Sequence, residues 1–171
     1  MNNLYVHYGS NEFINKDVSC YGITYSIKPA CECLWASPID TDLSWMNFCK
    51  SEYFKEDSLK QHFTFMLHSG AKICAINSME DLLDLISRFP GNKMSEIESN
   101  IYSSPCSDIK LNRFPNYESI SKIYDGIQVN ISKDPRLYHL MYGWDVDSIA
   151  IWNLDVVEVV PKSIKVSLRD L

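Results

Sequence analysis

Histidine and glycine are scarce in this chain of 171 residues, which has four of the first and six of the second. The motifs that announce common chemistries are missing. There is no Gly-x-Gly-x-x-Gly turn for a dinucleotide pyrophosphate and no phosphate loop ending Gly-Lys-Ser/Thr. No His-Glu-x-x-His stands ready for a hydrolytic zinc, and no Gly-x-Ser-x-Gly exposes a nucleophilic serine. The histidines, His7, His62, His68 and His139, do not pair at helical spacing. No apolar run approaches the roughly 20 residues of a membrane span, so no membrane association is expected. The start, Met1-Asn2-Asn3-Leu4, has no basic n-region and no h-region of a signal peptide, so a cytoplasmic location is expected. The net charge of −6 argues against a broad nucleic-acid-binding face. The basic pairs Lys110/Arg113 and Lys133/Arg136 are too sparse to make one.

Six cysteines are present: Cys20, Cys31, Cys33, Cys49, Cys74 and Cys106. Without a secretory leader they are expected as free thiols in a reducing compartment. Cys31-Glu32-Cys33 is tighter than a zinc knuckle and has no second pair with histidine to complete it, so no metal is expected. Cys74, inside Ile73-Cys74-Ala75-Ile76, reads as a small core residue. Hydrophobic content of 46% and charged content of 22% are those of a globular protein, and residues 1–171 suit one domain.

The opening stretch, Leu4-Tyr5-Val6-His7-Tyr8-Gly9-Ser10, alternates bulky side chains and stops on small polar groups. It predicts a strand that delivers His7 to the mouth of a cleft. Residues 11–29, with Gly22, show no period and read as loop with one helical turn at most. Residues 31–36 predict a second strand, ended by Ser37-Pro38 because proline cannot donate to a ladder. Asp42 is a candidate N-cap for a helix through Leu43, Met46, Asn47 and Lys50.

Strands are predicted at 59–67 and 71–76, with Ser69-Gly70 turning between them. Ser78 can cap a helix whose stripe is Met79, Leu82, Leu83, Ile86 and Phe89, stopped by Pro90-Gly91. Residues 92–115 are polar and predict a surface loop or insertion. A short helix after Asn116, a strand at 127–131, a short helix at 135–141 and strands at 149–152, 156–160 and 164–168 complete the chain. Pro161-Lys162 breaks the last two. Strands and helices do not alternate regularly, so an α+β fold is expected rather than a doubly wound sheet, with two small sheets facing each other across a cleft.

One ordered set could carry chemistry. His7 ends the first strand, Trp35 and Trp45 flank a helix start, and Asp145 and Asp147 lead into the strand at 149–152. Aromatic rings beside a neutral histidine suit a flat, polar, partly cationic ligand. A carboxylate nearby can stabilise developing positive charge. Nicotinamide on ribose fits that description. Asp145 and Asp147 are two apart, so on a strand they share a face, and sequence does not choose between them. Gln128, on the neighbouring predicted strand, is a third polar candidate.

With those residues in view, the chain resembles the ADP-ribosyltransferase superfamily, in its diphtheria-toxin-like and poly(ADP-ribose)-polymerase-like branch. His7-Tyr8-Gly9-Ser10 resembles the branch's histidine, small residue and Ser/Thr, with one extra residue after the histidine. Leu34-Trp35-Ala36, with Trp45 nine positions after the alanine, resembles its second strand and following aromatic. Asp147-Ser148-Ile149-Ala150-Ile151-Trp152-Asn153 resembles the acidic residue entering a late strand, although the family's glutamate is absent and Asp147 is one position out of register.

The resemblance implies an NAD cleft between two small, mostly antiparallel sheets with flanking helices. NAD would be the substrate. His7 would hold the adenosine ribose, the Gly9 backbone the nicotinamide amide, and Trp35 and Trp45 the nicotinamide ring. Tyr8, Ser10, Ala36, Ser37 and Gln128 would complete the NAD-binding set, and Asp145 or Asp147 would take the catalytic acid's place. The implied activity is transfer of ADP-ribose to a protein or nucleic acid, as in small phage or bacterial toxin transferases, with an antitoxin as a possible partner. The missing glutamate favours an alternative, a non-catalytic module that binds NAD, ADP-ribose or a partner on the same fold. A third reading is a ligand-free structural or inhibitor protein, which requires Trp35 and Trp45 in core with no cleft between them.

Overall fold

A computed structural model describes residues 4–21, 25–105 and 108–161. The expected strand at 164–168, Gly22, Cys106 and the start at Met1 lie outside the described residues. The strands are β1 (Tyr5–Tyr8), β2 (Leu34–Pro38), β3 (His62–Leu67), β4 (Ile73–Ile76), β5 (Pro90–Lys93), β6 (Ser103–Ser104), β7 (Ile109–Lys110), β8 (Arg113–Pro115), β9 (Gly126–Val129), β10 (Ser148–Ile151) and β11 (Val157–Val159). The helices are α1 (Trp45–Ser51), α2 (Met79–Arg88), α3 (Glu96–Ile101), α4 (Tyr117–Ser121) and α5 (Arg136–Leu140). Among the described residues no helix is long and apolar enough to cross a membrane.

The architecture is α+β. Seven strands form one curled sheet in the order β11-β3-β1-β2-β10-β9-β4, and β5-β8 and β6-β7 form two small pairs. All neighbours in the large sheet are antiparallel except β4 and β9, which are parallel. The expected two facing sheets are therefore one, because β2 pairs on both edges and joins β1 to β10. The join is short. β1 meets β2 only at Tyr5↔Pro38 and Val6↔Ser37, while it stays on β3 for four pairs, through Tyr8↔His62. Past Val6 the two strands part.

Period-two alternation gives the sheet two apolar faces. Tyr5, Ala36, Phe63, Phe65, Ile149 and Ile151 form a buried cluster on one face with Leu154 and Val157. Cys74, Ile76, Ile127, Val129, Ala150 and Trp152 belong to a second, larger cluster on the other. There they join Met79, Leu82, Leu85 and Ile86 of α2, Tyr117 and Ile120 of α4, and Leu137 and Leu140 of α5. Each Leu, Ile, Val, Phe or Met among them contributes about 1.5–3 kcal/mol by leaving water. Helix α2 is fixed locally as well: Ser78 accepts from the Asp81 N–H while the Asp81 carboxylate accepts from the Ser78 N–H.

Several boundaries differ from the sequence reading for local reasons. Ser44, not Asp42, caps α1, its hydroxyl accepting from the Asn47 N–H. β2 begins at Leu34 and keeps Pro38 as its last residue, where a missing donor is tolerated. β3 starts at His62 because residues 56–60 form a 3-10 turn. The expected loop at 92–115 contains α3, capped reciprocally by Ser95 and Glu98, and buries Leu111 and Phe114. β10 starts at Ser148, so Asp145 and Asp147 precede it and are not held to one face.

Candidate functional site

Where β1 and β2 part, the His7 ring donates from Nδ1 to the Trp35 carbonyl at 2.7 Å. That bond fixes the tautomer, so in the neutral ring Nε2 is an acceptor. The His7 ring lies 5.0 Å from the Phe63 ring, centroid to centroid, which holds its orientation.

A cleft of about 590 Å³ opens beside this bridge. That volume falls within the roughly 300–1,000 Å³ of small-molecule sites. His7, Tyr8, Gly9, Trp35, Ala36, Ser37, Trp45 and Asp145 all line it. Trp35 is half-buried and packs on the fully buried Trp144 at 4.8 Å, with Lys28 Nζ 5.5 Å from its ring. Trp45, also half-buried, opens α1. Its N–H donates to Ser37 Oγ at 3.0 Å and its ring stacks on Phe48. Ser37 thus anchors one tryptophan from the strand that carries the other. Tyr8 lines the wall with its hydroxyl pKa raised, chiefly by burial and then by nearby Cys49.

Gly9 has φ +106°, a conformation that favours glycine, and its N–H donates to the Gln61 carbonyl at 2.8 Å. Gly9 lines the cleft, and its N–H is engaged by Gln61. No described residue hydrogen-bonds the half-buried Asp145 carboxylate.

Three residues of the expected set stand apart from the cleft. Asp147 is 3% exposed, and its carboxylate accepts from Thr41 Oγ1 at 2.6 Å, the Ser132 N–H at 2.9 Å and Ser132 Oγ at 2.5 Å. Gln128 accepts from the Tyr5 hydroxyl and donates to Asn130 Oδ1, both at 2.8 Å. Ser10 closes a turn with Glu12, donating to its carbonyl and accepting from its N–H.

Sequence reasoning missed Lys28, Lys55 and Trp144, which also line the cleft. Lys28 comes from an irregular segment and Lys55 has a left-handed backbone, φ +49°, so neither carries a periodic signal. Trp144 lies in a tight segment between α5 and β10, where no period applies.

A separate cluster lies at the entry to β2. The sulfurs of Cys20, Cys31 and Cys33 are all within 4.8 Å of one another. Hydrogen bonds from Cys20 and Cys33 pull the Cys31 thiol pKa down, while Cys20 is pushed up by its bond to Cys31 and Cys33 by its bond to Cys20.

No family model, curated protein or solved structure matches this chain. Two lysines line the cleft beside one carboxylate that no described residue hydrogen-bonds, a positive balance inside a chain of net charge −6. Aromatic faces, two ammonium groups and an imidazole acceptor suit a ligand with a flat ring, phosphates and hydroxyls. The carboxylate adds affinity for positive charge on that ligand.

Proposed function

We propose that this chain is an NAD-dependent ADP-ribosyltransferase. The observation that carries the reading is the meeting of His7, Trp35, Trp45 and Asp145 on one cleft that also holds Lys28 and Lys55. The nicotinamide ring stacks against Trp35 and Trp45. His7 Nε2 accepts from a ribose hydroxyl, and the lysines face the diphosphate. As the bond from ribose C1′ to the nicotinamide nitrogen breaks, its electron pair stays with that nitrogen, which becomes neutral. Positive charge then spreads over C1′ and the ring oxygen, and the Asp145 carboxylate stabilises it. A nucleophile of the acceptor bonds to C1′ and loses its proton.

The acceptor is a macromolecule, protein or nucleic acid, in keeping with a toxin or phage–host conflict effector that an antitoxin would restrain. Mixing the protein with NAD and following nicotinamide by chromatography tests the reading. Release is expected, and Asp145→Asn is expected to slow it about a hundredfold or more. NAD binding without release supports the non-catalytic module instead, and no NAD binding rejects the transferase and any module that binds NAD. Mass spectrometry of cell protein and RNA after expression with labelled NAD identifies the acceptor.

A further inference from the structure

We propose that Cys20, Cys31 and Cys33 bind one thiophilic divalent cation, zinc being the prime case, as three thiolate ligands with a fourth position open to water. The inference is independent of the proposed activity. The three sulfurs come from two places in the sequence and converge to within 4.8 Å of one another. Cys31 Sγ touches both others, at 2.8 Å to Cys20 and 2.7 Å to Cys33. Zinc–sulfur bonds of about 2.3 Å at tetrahedral angles put sulfurs about 3.8 Å apart, so the cluster opens by about 1 Å to admit the ion. A disulfide would use two sulfurs and leave the third crowded against it, whereas one cation uses all three.

The surroundings point the same way. All three cysteines are half-exposed, so an ion can enter and a water can complete the shell. Glu32, between two of them, pairs with Lys16 on the surface and is not the fourth ligand. The described residues between β1 and β2 contain no helix and no strand. That connection far exceeds the usual loop of about 4–6 residues, and such a length calls for a tie. The cluster supplies one, joining Cys20 in mid-connection to Cys31 and to Cys33, which immediately precedes β2. Two residues further on is Trp35, and Lys28 lies inside the tied segment, so the ion would brace one side of the cleft. Each thiol gives up its proton to solvent on binding, which makes affinity rise with pH.

The full chain, expressed with zinc supplied and purified under reducing conditions, is expected to retain one metal per chain by atomic emission. After chelation, cobalt is expected to restore binding with a sulfur-to-cobalt charge-transfer band in the near ultraviolet and the intense visible bands of tetrahedral cobalt. Cys20→Ser and Cys33→Ser are expected to weaken cobalt binding by more than about a hundredfold, since even groups outside the ligand set change affinity about 10–100-fold. Cys49→Ala, at a buried position on α1, is expected to leave binding unchanged. Wild-type protein that retains no metal and gives no cobalt charge-transfer band overturns the proposal. So does a disulfide between any two of the three under reducing conditions, or full cobalt affinity in both serine variants. Should the variants fail to fold, the wild-type stoichiometry and cobalt spectrum decide.

Discussion

Asp145 and Asp147 are separated by one residue, and their surroundings assign them opposite behaviour under mutation. Asp147 is buried and accepts three hydrogen bonds, from Thr41 Oγ1, the Ser132 N–H and Ser132 Oγ. Its own N–H donates to the Leu43 carbonyl, so it ties the segment before α1 to the segment before β10. Hydrogen bonds to a charged group are worth about 1.5–3 kcal/mol each. The Ser132 N–H cannot rotate away, whereas the two hydroxyls can.

Asp147→Ala is therefore expected to lose roughly 3–5 kcal/mol, a large part of the 5–15 kcal/mol typical of a folded domain. For a chain of this size that lowers Tm by about 6–20 °C. Asp147→Asn keeps an oxygen for the Ser132 N–H and turns its amide toward the hydroxyls, which then accept, so about 1–2 kcal/mol is lost. Asp145→Asn, with no hydrogen bond to a described residue to break, is expected to leave Tm within about 2 °C while slowing nicotinamide release about a hundredfold or more. Urea titrations and calorimetry of all three, beside the release assay, make the comparison. An Asp147→Ala protein within about 1 kcal/mol of its parent refutes the structural account of Asp147. A stable Asp147→Asn protein that loses release as completely as Asp145→Asn refutes the division of roles.

Three further outcomes follow from other parts of the structure. His7→Ala removes the bridge to the Trp35 carbonyl and the Nε2 acceptor, and is expected to weaken NAD binding about tenfold by calorimetry, equivalent to about 1.4 kcal/mol; unchanged affinity would remove His7 from the site. Gly9→Ala meets no atom within 4 Å, so its expected cost of about 1–2 kcal/mol in urea comes from φ +106° alone, and equal stability would contradict that account. The Asp134 carboxyl is held down to about 2 by hydrogen bonds from Arg136, with the Met79 N–H at 2.9 Å also donating to it. Its folded pKa lies below the unfolded value near 3.9, so its contribution, at most about 2 kcal/mol after screening at the half-exposed Arg136, is present above about pH 4 and lost as pH falls toward 2. Asp134→Asn should flatten the stability curve in that acid window, and an unchanged acid slope would show the ion pair to be idle.

What could be read from the sequence was set by how locally each feature is determined. Helix α2 was legible because its stripe and its reciprocal cap lie within a dozen consecutive residues. The α+β class was legible for the same reason, strand by strand. The single sheet was not, since β2 reaches β10 across most of the chain and no local pattern encodes that pairing. On a strand Asp145 and Asp147 would share a face, but β10 starts at Ser148, after both. The tie between Cys20 and the Cys31/Cys33 pair depends on the path of an irregular segment, and nothing periodic records such a path. His7 and Trp35 are legible because they lie near strand ends, and they meet for one reason. The β1–β2 ladder stops after Val6↔Ser37, and at that break the His7 ring takes the Trp35 carbonyl. A shorter ladder thus opens the cleft and orients the imidazole at once.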